Sequence, residues 1–525
     1  MRCTALSVVR GTTISNFDAE VIDVVLGDSA TAGPRILVRV SGPPVDLTGV
    51  GPGFSGSPIL CPDANGLLRN AGAISETVGE YGGKVALATP IELILGEGAR
   101  APSNARRAPA LMRSARRIAS PLTISGLSGL MRARVSRAAR RAGRPVLAAP
   151  GGPRTVFGVQ TLRPGSAVAA ALSSGDVSIS AVGTVAYTKG SSVWGFGHPF
   201  EGFGRRSLLL QDAYVYSVIN NPLAADNAFT YKLAVPGHTV GTLTNDSLNA
   251  IVGTVGALPR TIPLRVTVRD LDRRRSLTVS TQVTDERALD LGSSLGLAVS
   301  VSLGQALVGA LQSTPPRITA SACLRIVIRE RKRPVGFCNH YEDGERPFED
   351  LDRALVLIDA FKYGRITPLS ASVKMSVRRG VDEALMLRAR APRRVRPGQR
   401  IPVRIAVRRR RGGPGSVRLR YRVPPSTRPG KRTLTLRGTV PYSLSQGSEE
   451  SLEFLLEGGG SGLASEDDVG PRSLDGVIAR IRGLRRRDGL RATFARRGAG
   501  PVVLPTRDLV LRGRLRVPIE VIEKR

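Results

Sequence analysis

The stretch Gly53-Phe54-Ser55-Gly56-Ser57-Pro58 has the composition of a tight loop that presents one serine. Small residues around Ser55 let the backbone turn sharply, and the N–H groups of Ser55 and Gly53 then converge on one point. Two donors in that arrangement form an oxyanion hole, which stabilises the charge that develops on a carbonyl oxygen under attack. Turns rich in glycine and serine are also common in ordinary loops, so the stretch alone leaves a purely structural turn open.

The residues on the carboxyl side of this loop predict a β-hairpin. Ile59-Leu60 begins a strand, residues 63–66 have the composition of a turn, and residues 71–75 return as the partner strand. Farther along, residues 177–187 and 192–196 predict another strand–turn–strand unit, which ends at a histidine. Because the chain has 59 glycines, 36 prolines and 41% hydrophobic residues, we expect a globular, mostly β fold.

Composition changes along the 525 residues predict five segments. The segments are the serine-bearing half of one domain (1–100), an Arg/Ala/Pro-rich linker (101–152), the histidine-bearing half of the same domain (153–260), a β-sandwich-like domain (261–380) and a C-terminal immunoglobulin-like β-sandwich domain (381–525). Within the linker, residues 127–142 predict a surface helix whose polar face is nearly all arginine.

The chain is strongly basic, with a formal net charge of +35 at pH 7. Such a charge indicates either a polyanionic partner or arginines spread over solvated surfaces, and we favour the second explanation. Aromatic residues make up only 4% of the chain and no nucleic-acid-binding module is recognisable, so we do not expect a nucleic-acid partner. An anionic cell-envelope surface stays open as a partner, and the oligomeric state is not indicated.

The cysteines, the longest uncharged stretch and the start of the chain each leave alternatives open. The four cysteines form the bridges Cys3–Cys61 and Cys323–Cys338, or they remain free buried thiols. Residues 291–318 carry only one charge, and their serines favour an amphipathic helix laid on a sheet over a membrane helix. Residues 1–9 lack a basic-then-apolar leader, which predicts either a cytoplasmic protein or a true start farther upstream.

A serine nucleophile needs a base within hydrogen-bond reach, usually a histidine, and this chain has three histidines. His198 is the best candidate, because it follows a strand–turn–strand unit and lies between a glycine and a proline; the alternative is a histidine that only satisfies a tight turn. His238 is expected in an exposed turn. His340 lies near the acidic residues of 342–345, where a solvated loop is favoured over a cation site.

Three stretches together resemble the SpoIVB (stage IV sporulation protein B) peptidase family of trypsin-like serine peptidases. The stretches are Gly53–Pro58 with the hairpin after it, residues 181–185 continuing to residues 195–200, and residues 240–246 running on to residues 251–253. They span roughly the first half of the chain. The resemblance implies a trypsin-like double β-barrel, with Ser55 as the nucleophile, His198 as its base and a secreted or cell-surface location.

The chain departs from this family in three respects. Its serine half precedes its histidine half, as though the domain were circularly permuted. No carboxylate stands near residues 40–42, which match the place of the family's aspartate. Asp46 and Asp246 are the remaining candidates for that third catalytic member, and neither is favoured over the other. The peptide-binding PDZ domain of the sporulation peptidase is missing from this sequence.

The resulting hypothesis is a serine endopeptidase that hydrolyses a protein or peptide substrate through Ser55 and His198. The N–H groups of Gly53 and Ser55 form its oxyanion hole, Ser57 is the alternative nucleophile, and no metal or organic cofactor is expected. The missing aspartate supports a second hypothesis from a different class. In that hypothesis the same fold is catalytically inactive and serves as a binding or cell-envelope structural module.

Overall fold

Strands dominate the fold: 56% of the chain is strand and 14% is helix, which confirms the predicted mostly β class. The computed structural model describes residues 1–523 except for 27–32, 79–82, 104, 118–120, 142–145, 149–156, 221–229, 290, 292, 316, 343–346, 411, 439–470, 485–488, 495–501 and 506–508.

The secondary structure consists mainly of strands separated by turns and a few helices. The first strands are β1 (Arg2–Arg10), β2 (Thr13–Leu26), β3 (Pro34–Ser41), β4 (Pro58–Pro62), β5 (Leu68–Val78), β6 (Val85–Pro90), β7 (Arg106–Arg107), β8 (Ala115–Arg117), β9 (Leu122–Ser125) and β10 (Val146–Ala148). They are followed by β11 (Ala167–Gly175), β12 (Ser178–Lys189), β13 (Ser192–Gly195), β14 (Gly204–Asn220), β15 (Thr230–Asp246), β16 (Ile251–Val255), β17 (Thr261–Asp270), β18 (Arg275–Thr284), β19 (Ile318–Ile328) and β20 (Val335–Glu342). The remaining strands are β21 (Pro368–Arg379), β22 (Glu383–Arg390), β23 (Arg394–Val395), β24 (Arg400–Arg409), β25 (Pro414–Arg422), β26 (Gly430–Gly438), β27 (Gly489–Phe494), β28 (Val502–Pro505), β29 (Val510–Arg512) and β30 (Arg514–Val521). The helices are α1 (Ile91–Leu95), α2 (Pro109–Ser114), α3 (Gly129–Arg141), α4 (Leu295–Leu311), α5 (Pro347–Asp359) and α6 (Leu474–Gly483), with one 3₁₀ turn at Arg287–Leu289.

The chain divides into two compact units. Unit 1 contains Met1–Leu264 and Ser280–Val301, and unit 2 contains Arg265–Val279 and the described residues from Ser302 onwards. Unit 1 therefore holds both segments that the sequence assigns to the two halves of one domain. The predicted boundary near residue 380 lies inside unit 2, and residues 261–264 and 280–301 of the predicted 261–380 domain belong to unit 1.

A six-stranded barrel in unit 1 carries the stretch Gly53–Pro58, called the serine loop from here on. Its strands follow the order β1-β4-β5-β6-β3-β2, and the pairing of β1 with β2 closes the ring. The predicted hairpin is confirmed as β4 and β5, and its turn is closed where the Asp63 N–H donates to the Leu67 carbonyl. The interior of the barrel is apolar and includes Phe17, Phe54 and Ile59. The serine loop thus leads directly into a strand of a packed barrel.

A second closed ring of strands in unit 1 carries the histidine. Its strands follow the order β12-β13-β16-β15-β14-β11, and the pairing of β12 with β11 closes this ring. The predicted strand–turn–strand unit is confirmed as β12 and β13, which pair in antiparallel fashion. Between the two rings, Val8 packs in one apolar cluster with Ala169, Val182 and Val215. Burial of such side chains, at roughly 25 cal/mol per Å², stabilises the contact between the rings.

Unit 2 contains four strands ordered β17-β21-β19-β20 and a C-terminal β-sandwich. The sandwich pairs a sheet ordered β25-β24-β22-β29 with a sheet ordered β23-β30-β26-β27-β28. Exposed and buried residues alternate along β24, so Ile401, Val403 and Ile405 enter the same core as Leu436 of the facing sheet. The predicted β-sandwich architecture at the carboxyl end is therefore confirmed.

Residues 101–152 do more than link the two halves of unit 1. The predicted surface helix is α3, which buries Met131 and Val135. In addition, β7 pairs with β2, β8 pairs with β5, and β9 pairs with β12. The short run Leu122–Ser125 is buried, and the apolar side chains of Leu122 and Ile124 explain why it joins a sheet instead of remaining a linker. The described part of this segment thus adds strands to the sheets of both rings.

Both cysteine pairs are bonded, so the bridged alternative holds in this structure. Cys3 is joined to Cys61, and Cys323 is joined to Cys338. Each bridge connects neighbouring antiparallel strands, β1 with β4 and β19 with β20. Cys61 of the first bridge lies in β4, the strand that follows the serine loop, so this bridge ties that strand to β1.

The longest uncharged stretch forms α4, but the prediction of an amphipathic helix there is wrong. The six consecutive residues from Ala298 to Leu303 are all buried. Because a helix completes a turn in 3.6 residues, six consecutive buried residues leave no solvent-facing side over that part. Among the described residues, none of the helices combines the length and apolarity needed to span a membrane.

We predict that Gly56, where the serine loop touches the second ring, cannot accept a side chain. A Cβ at Gly56 would lie 2.0 Å from the Thr184 carbonyl oxygen and 2.5 Å from the Phe196 nitrogen, and its φ is +91°. Gly66 has a φ of +76° but nothing within 4 Å of its Cβ position, which makes it the matched control. We expect Gly56→Ala to lower the free energy of unfolding by about 3 kcal/mol or more and Gly66→Ala by about 1 kcal/mol. Urea denaturation of both variants checks this, and equal losses would contradict the close packing.

Candidate active site

Two main-chain donors and one hydroxyl of the serine loop have no partner among the described residues. The N–H groups of Phe54, Gly56 and Ser57 each donate to a main-chain carbonyl, at 2.9, 2.8 and 2.9 Å. Within the part of the chain that the structure describes, the N–H groups of Gly53 and Ser55 have no acceptor. Ser55 Oγ is fully buried and, among the same residues, has no hydrogen-bond partner. These are the groups to which the sequence assigns the oxyanion hole and the nucleophile.

Buried N–H groups without an acceptor are rare, because each costs about 1–3 kcal/mol of desolvation. Two of them beside an unpartnered hydroxyl on one turn therefore indicate a place where another oxygen atom is bound. Gly53 makes this turn possible, since its φ is +96° and a Cβ would lie 2.8 Å from Lys232 Cβ. The assignment of the oxyanion hole to Gly53 and Ser55 stays a prediction. An oxyanion hole requires N–H groups with no acceptor of their own, and among the described residues these two N–H groups have none.

The serine loop is fixed from behind by the second ring. The Thr184 N–H donates to the Ser55 carbonyl at 2.8 Å, and Thr184 Oγ1 donates to the Gly53 carbonyl at 2.9 Å. The Lys232 N–H donates to the Pro52 carbonyl at 2.8 Å. Because these bonds use the carbonyls of the loop and not its amides, they hold the backbone without occupying the two free donors.

His198 is buried, with 5% of its surface exposed, and its ring has a defined tautomer. Its Nδ1 lies 2.7 Å from the Pro199 carbonyl oxygen. A carbonyl oxygen only accepts hydrogen bonds, so Nδ1 carries the proton and Nε2 carries the lone pair. An imidazole in this state can take a proton through Nε2, which is the task of a general base.

The backbone that leads to His198 is strained. Phe196 has a φ of +67° and Gly197 has a φ of +69°. A bulky residue such as Phe196 in this left-handed region is a true conformational outlier, and such residues cluster at functional sites. The strain is tolerated because the Phe196 N–H donates to the Thr184 carbonyl at 3.2 Å and Thr89 Oγ1 donates to the Gly197 carbonyl at 2.8 Å.

Residues 196–203, which join β13 to β14 and include His198, form the histidine loop. The serine loop and the histidine loop contact the same stretch of backbone. The Gly56 N–H donates to the Ile74 carbonyl at 2.8 Å. A Cβ on Gly197 would lie 3.3 Å from that same Ile74 oxygen. The Gly56 Cβ position also lies 2.5 Å from the Phe196 nitrogen. Two segments that are more than a hundred residues apart in sequence thus pack around the same carbonyl within unit 1. Among the described residues no hydrogen bond joins Ser55 Oγ to a histidine, so the pairing of Ser55 with His198 stays a prediction.

Of the two carboxylates considered for the third catalytic position, Asp246 supports the histidine loop. Asp246 is fully buried and accepts hydrogen bonds from the N–H groups of Phe200, Glu201 and Gly202, each at 2.7 Å. The Arg206 guanidinium lies 3.8 Å from the same carboxylate. Asp246 therefore fixes the turn that follows His198, which makes it a positioning residue.

Asp46 has a different and more local task. It is exposed and accepts a hydrogen bond from the Gly42 N–H at 2.8 Å, in the turn that precedes the serine loop. The acceptor on His198 Nδ1 is the Pro199 carbonyl oxygen, where a carboxylate stands in a Ser-His-Asp triad. Sequence reasoning looked for an acidic side chain and had no means to identify a main-chain acceptor.

The other two histidines differ from their expected settings. His238 lies within β15 instead of an exposed turn, and its Nδ1 is 3.1 Å from Oδ2 of the buried Asp212. His340 is buried in β20, with Nδ1 3.3 Å from the Ala320 carbonyl oxygen. The side chains of 342–345, which formed the acidic loop of the sequence hypothesis, lie outside the described residues. Within the described chain there is no group of three or more metal-ligating side chains.

Lys232 is the residue that sequence reasoning missed. Its Nζ donates to Ser7 Oγ at 2.7 Å and to Thr184 Oγ1 at 3.1 Å, and it lies 4.5 Å from the centre of the Phe54 ring. Complete burial lowers the pKa of Lys232 to about 7. The sequence did contain a sign of its role, because a lysine in an apolar strand is unusual in a chain whose basic residues are almost all arginine. Lysine loses its charge on burial, whereas arginine does not.

Ser57, the alternative nucleophile, belongs to this polar network. Its Oγ lies 2.9 Å from Ser7 Oγ, which in turn accepts from Lys232 Nζ. Ser57 therefore makes a structural hydrogen bond to β1. The network joins the serine loop, β1 and β15 through hydroxyl groups and one buried amine.

Comparison of the chain with protein-family models, with curated proteins and with solved structures returned no significant match. The function of the site is therefore inferred from the chemistry of the described residues.

We predict that Lys232 makes the stability of unit 1 depend on pH. Its folded pKa of about 7 lies below the value of about 10.4 for an unfolded lysine, so only the unfolded chain holds this proton between these values. The free energy of unfolding should therefore rise with pH from about 7 to about 10, by at most about 1.4 kcal/mol per pH unit. Below pH 7 both states are protonated and the contribution is constant.

Chemical denaturation of the wild type and of Lys232→Met at several pH values between neutral and alkaline measures this slope. The exposed Lys189 supplies the matched control Lys189→Met. We expect the rise with pH to be lost in Lys232→Met and kept in Lys189→Met. If all three proteins gain stability equally with pH, Lys232 is not a neutral amine in the folded chain.

Proposed function

We propose that this protein is a serine endopeptidase in which Ser55 is the nucleophile and His198 is the general base. The observation that carries the proposal is the pair of acceptor-free N–H groups on Gly53 and Ser55 beside the unpartnered Ser55 hydroxyl. Among the described residues these three groups have no protein partner, so each is able to bind an atom of a substrate. An acyl substrate supplies the carbonyl carbon and the oxygen that these groups lack.

The proposed reaction begins when Ser55 Oγ attacks the carbonyl carbon of a peptide bond while its proton passes to His198 Nε2. The carbonyl oxygen becomes an oxyanion and accepts hydrogen bonds from the N–H groups of Gly53 and Ser55. When the tetrahedral intermediate collapses, the C–N bond breaks and His198 gives its proton to the leaving amine. Water then attacks the acyl-enzyme with the same base, and free Ser55 is restored. No step calls on a metal or an organic cofactor.

The Pro199 carbonyl and Asp246 supply the support that a triad aspartate gives elsewhere. The carbonyl holds His198 in the tautomer that a base needs, and Asp246 fixes the turn that carries this carbonyl. A neutral acceptor stabilises the imidazolium less than a carboxylate does, so a slower enzyme than one with a full triad is expected. The two closed rings in unit 1, with the nucleophile and base where the rings meet, are consistent with a permuted trypsin-like double barrel.

The complete burial of Ser55 favours a second candidate function. A side chain with no exposed surface meets substrate only after the surrounding structure opens. A protein that never opens here is a non-catalytic member of the same fold, which acts as a binding or envelope module together with its C-terminal β-sandwich. Reactivity at Ser55 distinguishes the two functions.

A fluorophosphonate probe tests the proposal, because it phosphonylates serines that are activated by a base. We expect covalent labelling of the folded wild-type chain, with complete loss in Ser55→Ala and at least about a hundredfold slower labelling in His198→Ala. Ser57→Ala and His238→Ala are matched controls that should keep the label. Circular dichroism verifies that each variant is folded.

Two other labelling results would contradict the proposed role of Ser55. Labelling that persists in Ser55→Ala but is lost in Ser57→Ala would transfer the nucleophile to Ser57 and end the proposal for Ser55. A folded wild type that takes no label would favour the non-catalytic module. Cleavage of an unfolded protein substrate, lost in the same variants that lose the label, then identifies the substrate as a peptide bond.

A further inference from the structure

The C-terminal β-sandwich carries an arginine ladder on its outer face. Along β24 and β25 the register places Arg400 opposite Arg422 and Arg404 opposite Arg418, and Arg420 lies between these two pairs. All five side chains are exposed, whereas the alternate residues of β24 enter the hydrophobic core. Within a strand such residues repeat about every 7 Å, and across strands they are about 5 Å apart.

The next strand extends the ladder. Arg390 of β22 lies opposite Arg404 of β24, and Arg388 lies opposite Ala406, so both β22 arginines face the same side. Both are exposed. The outer face therefore presents arginines from three adjacent strands, and we call it the arginine face.

In the part of the chain that the structure describes, no acidic side chain pairs with the central arginines of the arginine face. Among the described residues, Arg388, Arg404, Arg418 and Arg420 make no ion pair. Glu383 is the acidic residue of β22, and Arg410 and Arg512 form ion pairs with it at the start of this strand. Like charges that lie directly opposite one another are destabilising, so this face is electrostatically unfavourable until an anion covers it.

Two features indicate which kind of anion fits. Leu385 and Leu387 of β22 are 51% and 48% exposed, and Leu385 lies opposite Arg408 on the arginine face. The tyrosine of β25, Tyr421, points into the core, so β22, β24 and β25 present no aromatic ring on which a nucleic-acid base stacks. Arginines beside exposed leucines match a bilayer surface, where phosphate head groups lie next to acyl chains.

We propose that the arginine face docks on an anionic phospholipid surface. The guanidinium groups bind lipid phosphates, and Leu385 and Leu387 enter the boundary between head groups and acyl chains. This inference is independent of any catalytic activity at Ser55. In this proposal, the arginines of the arginine face bind lipid, whereas the other surface arginines are only solvated.

Vesicle co-sedimentation of the full chain tests this docking. We expect binding to vesicles that contain phosphatidylglycerol, no binding to vesicles of phosphatidylcholine alone, and loss of binding at high salt. The triple variant Arg404→Gln/Arg418→Gln/Arg420→Gln should weaken binding by about a hundredfold, since each basic residue near an anionic surface contributes roughly a factor of five. Removing opposed like charges should not unfold the sheet, and circular dichroism checks this.

The matched control removes the same charge from another sheet of unit 2. Arg265, Arg269 and Arg325 are exposed, and the variant Arg265→Gln/Arg269→Gln/Arg325→Gln should bind vesicles nearly as the wild type does. Equal weakening by both triple variants would show that net charge, not the arginine face, drives binding.

A second pair of measurements separates lipid from other polyanions. Leu385→Ser/Leu387→Ser should weaken binding to anionic vesicles by about tenfold, because each leucine buries apolar surface in the bilayer. A single-stranded oligonucleotide of mixed sequence should bind more weakly than the vesicles at the same salt. Tighter binding to the oligonucleotide, or no effect of the leucine substitutions, would overturn the assignment to a lipid surface.

Discussion

The contact between Gly56 and the second ring is the constraint on which the candidate active site depends. The backbone of the serine loop approaches the Thr184 carbonyl and the Phe196 nitrogen so closely that no Cβ fits. This approach lets the loop hydrogen-bond to β12 through its carbonyls and brings the turn before His198 to the same place. A loop held at a greater distance would lose both these hydrogen bonds and its contact with Phe196.

The closeness of the rings also explains the unusual polar groups at their junction. Hydroxyl groups of Ser7 and Thr184 are buried there, and Lys232 satisfies them without a counter-charge. Burying an amine in this way is costly unless it is neutral, and its lowered pKa follows from that cost. In the same region, the described residues offer no acceptor to the amides of Gly53 and Ser55. The polar side chains at the junction thus fix the loop through its carbonyls, and none of those described accepts a hydrogen bond from the amides of Gly53 and Ser55.

Sequence reasoning located the strands, the hairpin after the serine loop and the C-terminal sandwich, because period-two patterns and turn residues are local signals. It also selected Ser55 and His198 from their short motifs, a choice that stays a prediction. It did not find Lys232 or the Pro199 carbonyl, since both acquire their roles only through contacts between distant segments. The error at α4 has a different origin: where a helix is buried on all sides, as it is from Ala298 to Leu303, its sequence has no polar face and so no amphipathic periodicity. The sequence showed that the C-terminal strands are rich in arginine, but it did not show that the pairing of three strands places these arginines on one face.

The most direct test of the central claim is a crystal structure of the protein after treatment with a fluorophosphonate. The account predicts phosphorus bonded to Ser55 Oγ, with one phosphonyl oxygen about 2.7–3.1 Å from the nitrogens of both Gly53 and Ser55. It also predicts His198 Nε2 within about 3.2 Å of an oxygen of the adduct and Nδ1 still on the Pro199 carbonyl. An unmodified Ser55, or an adduct whose oxygens bind neither amide, would contradict the claim that these two segments form one catalytic centre.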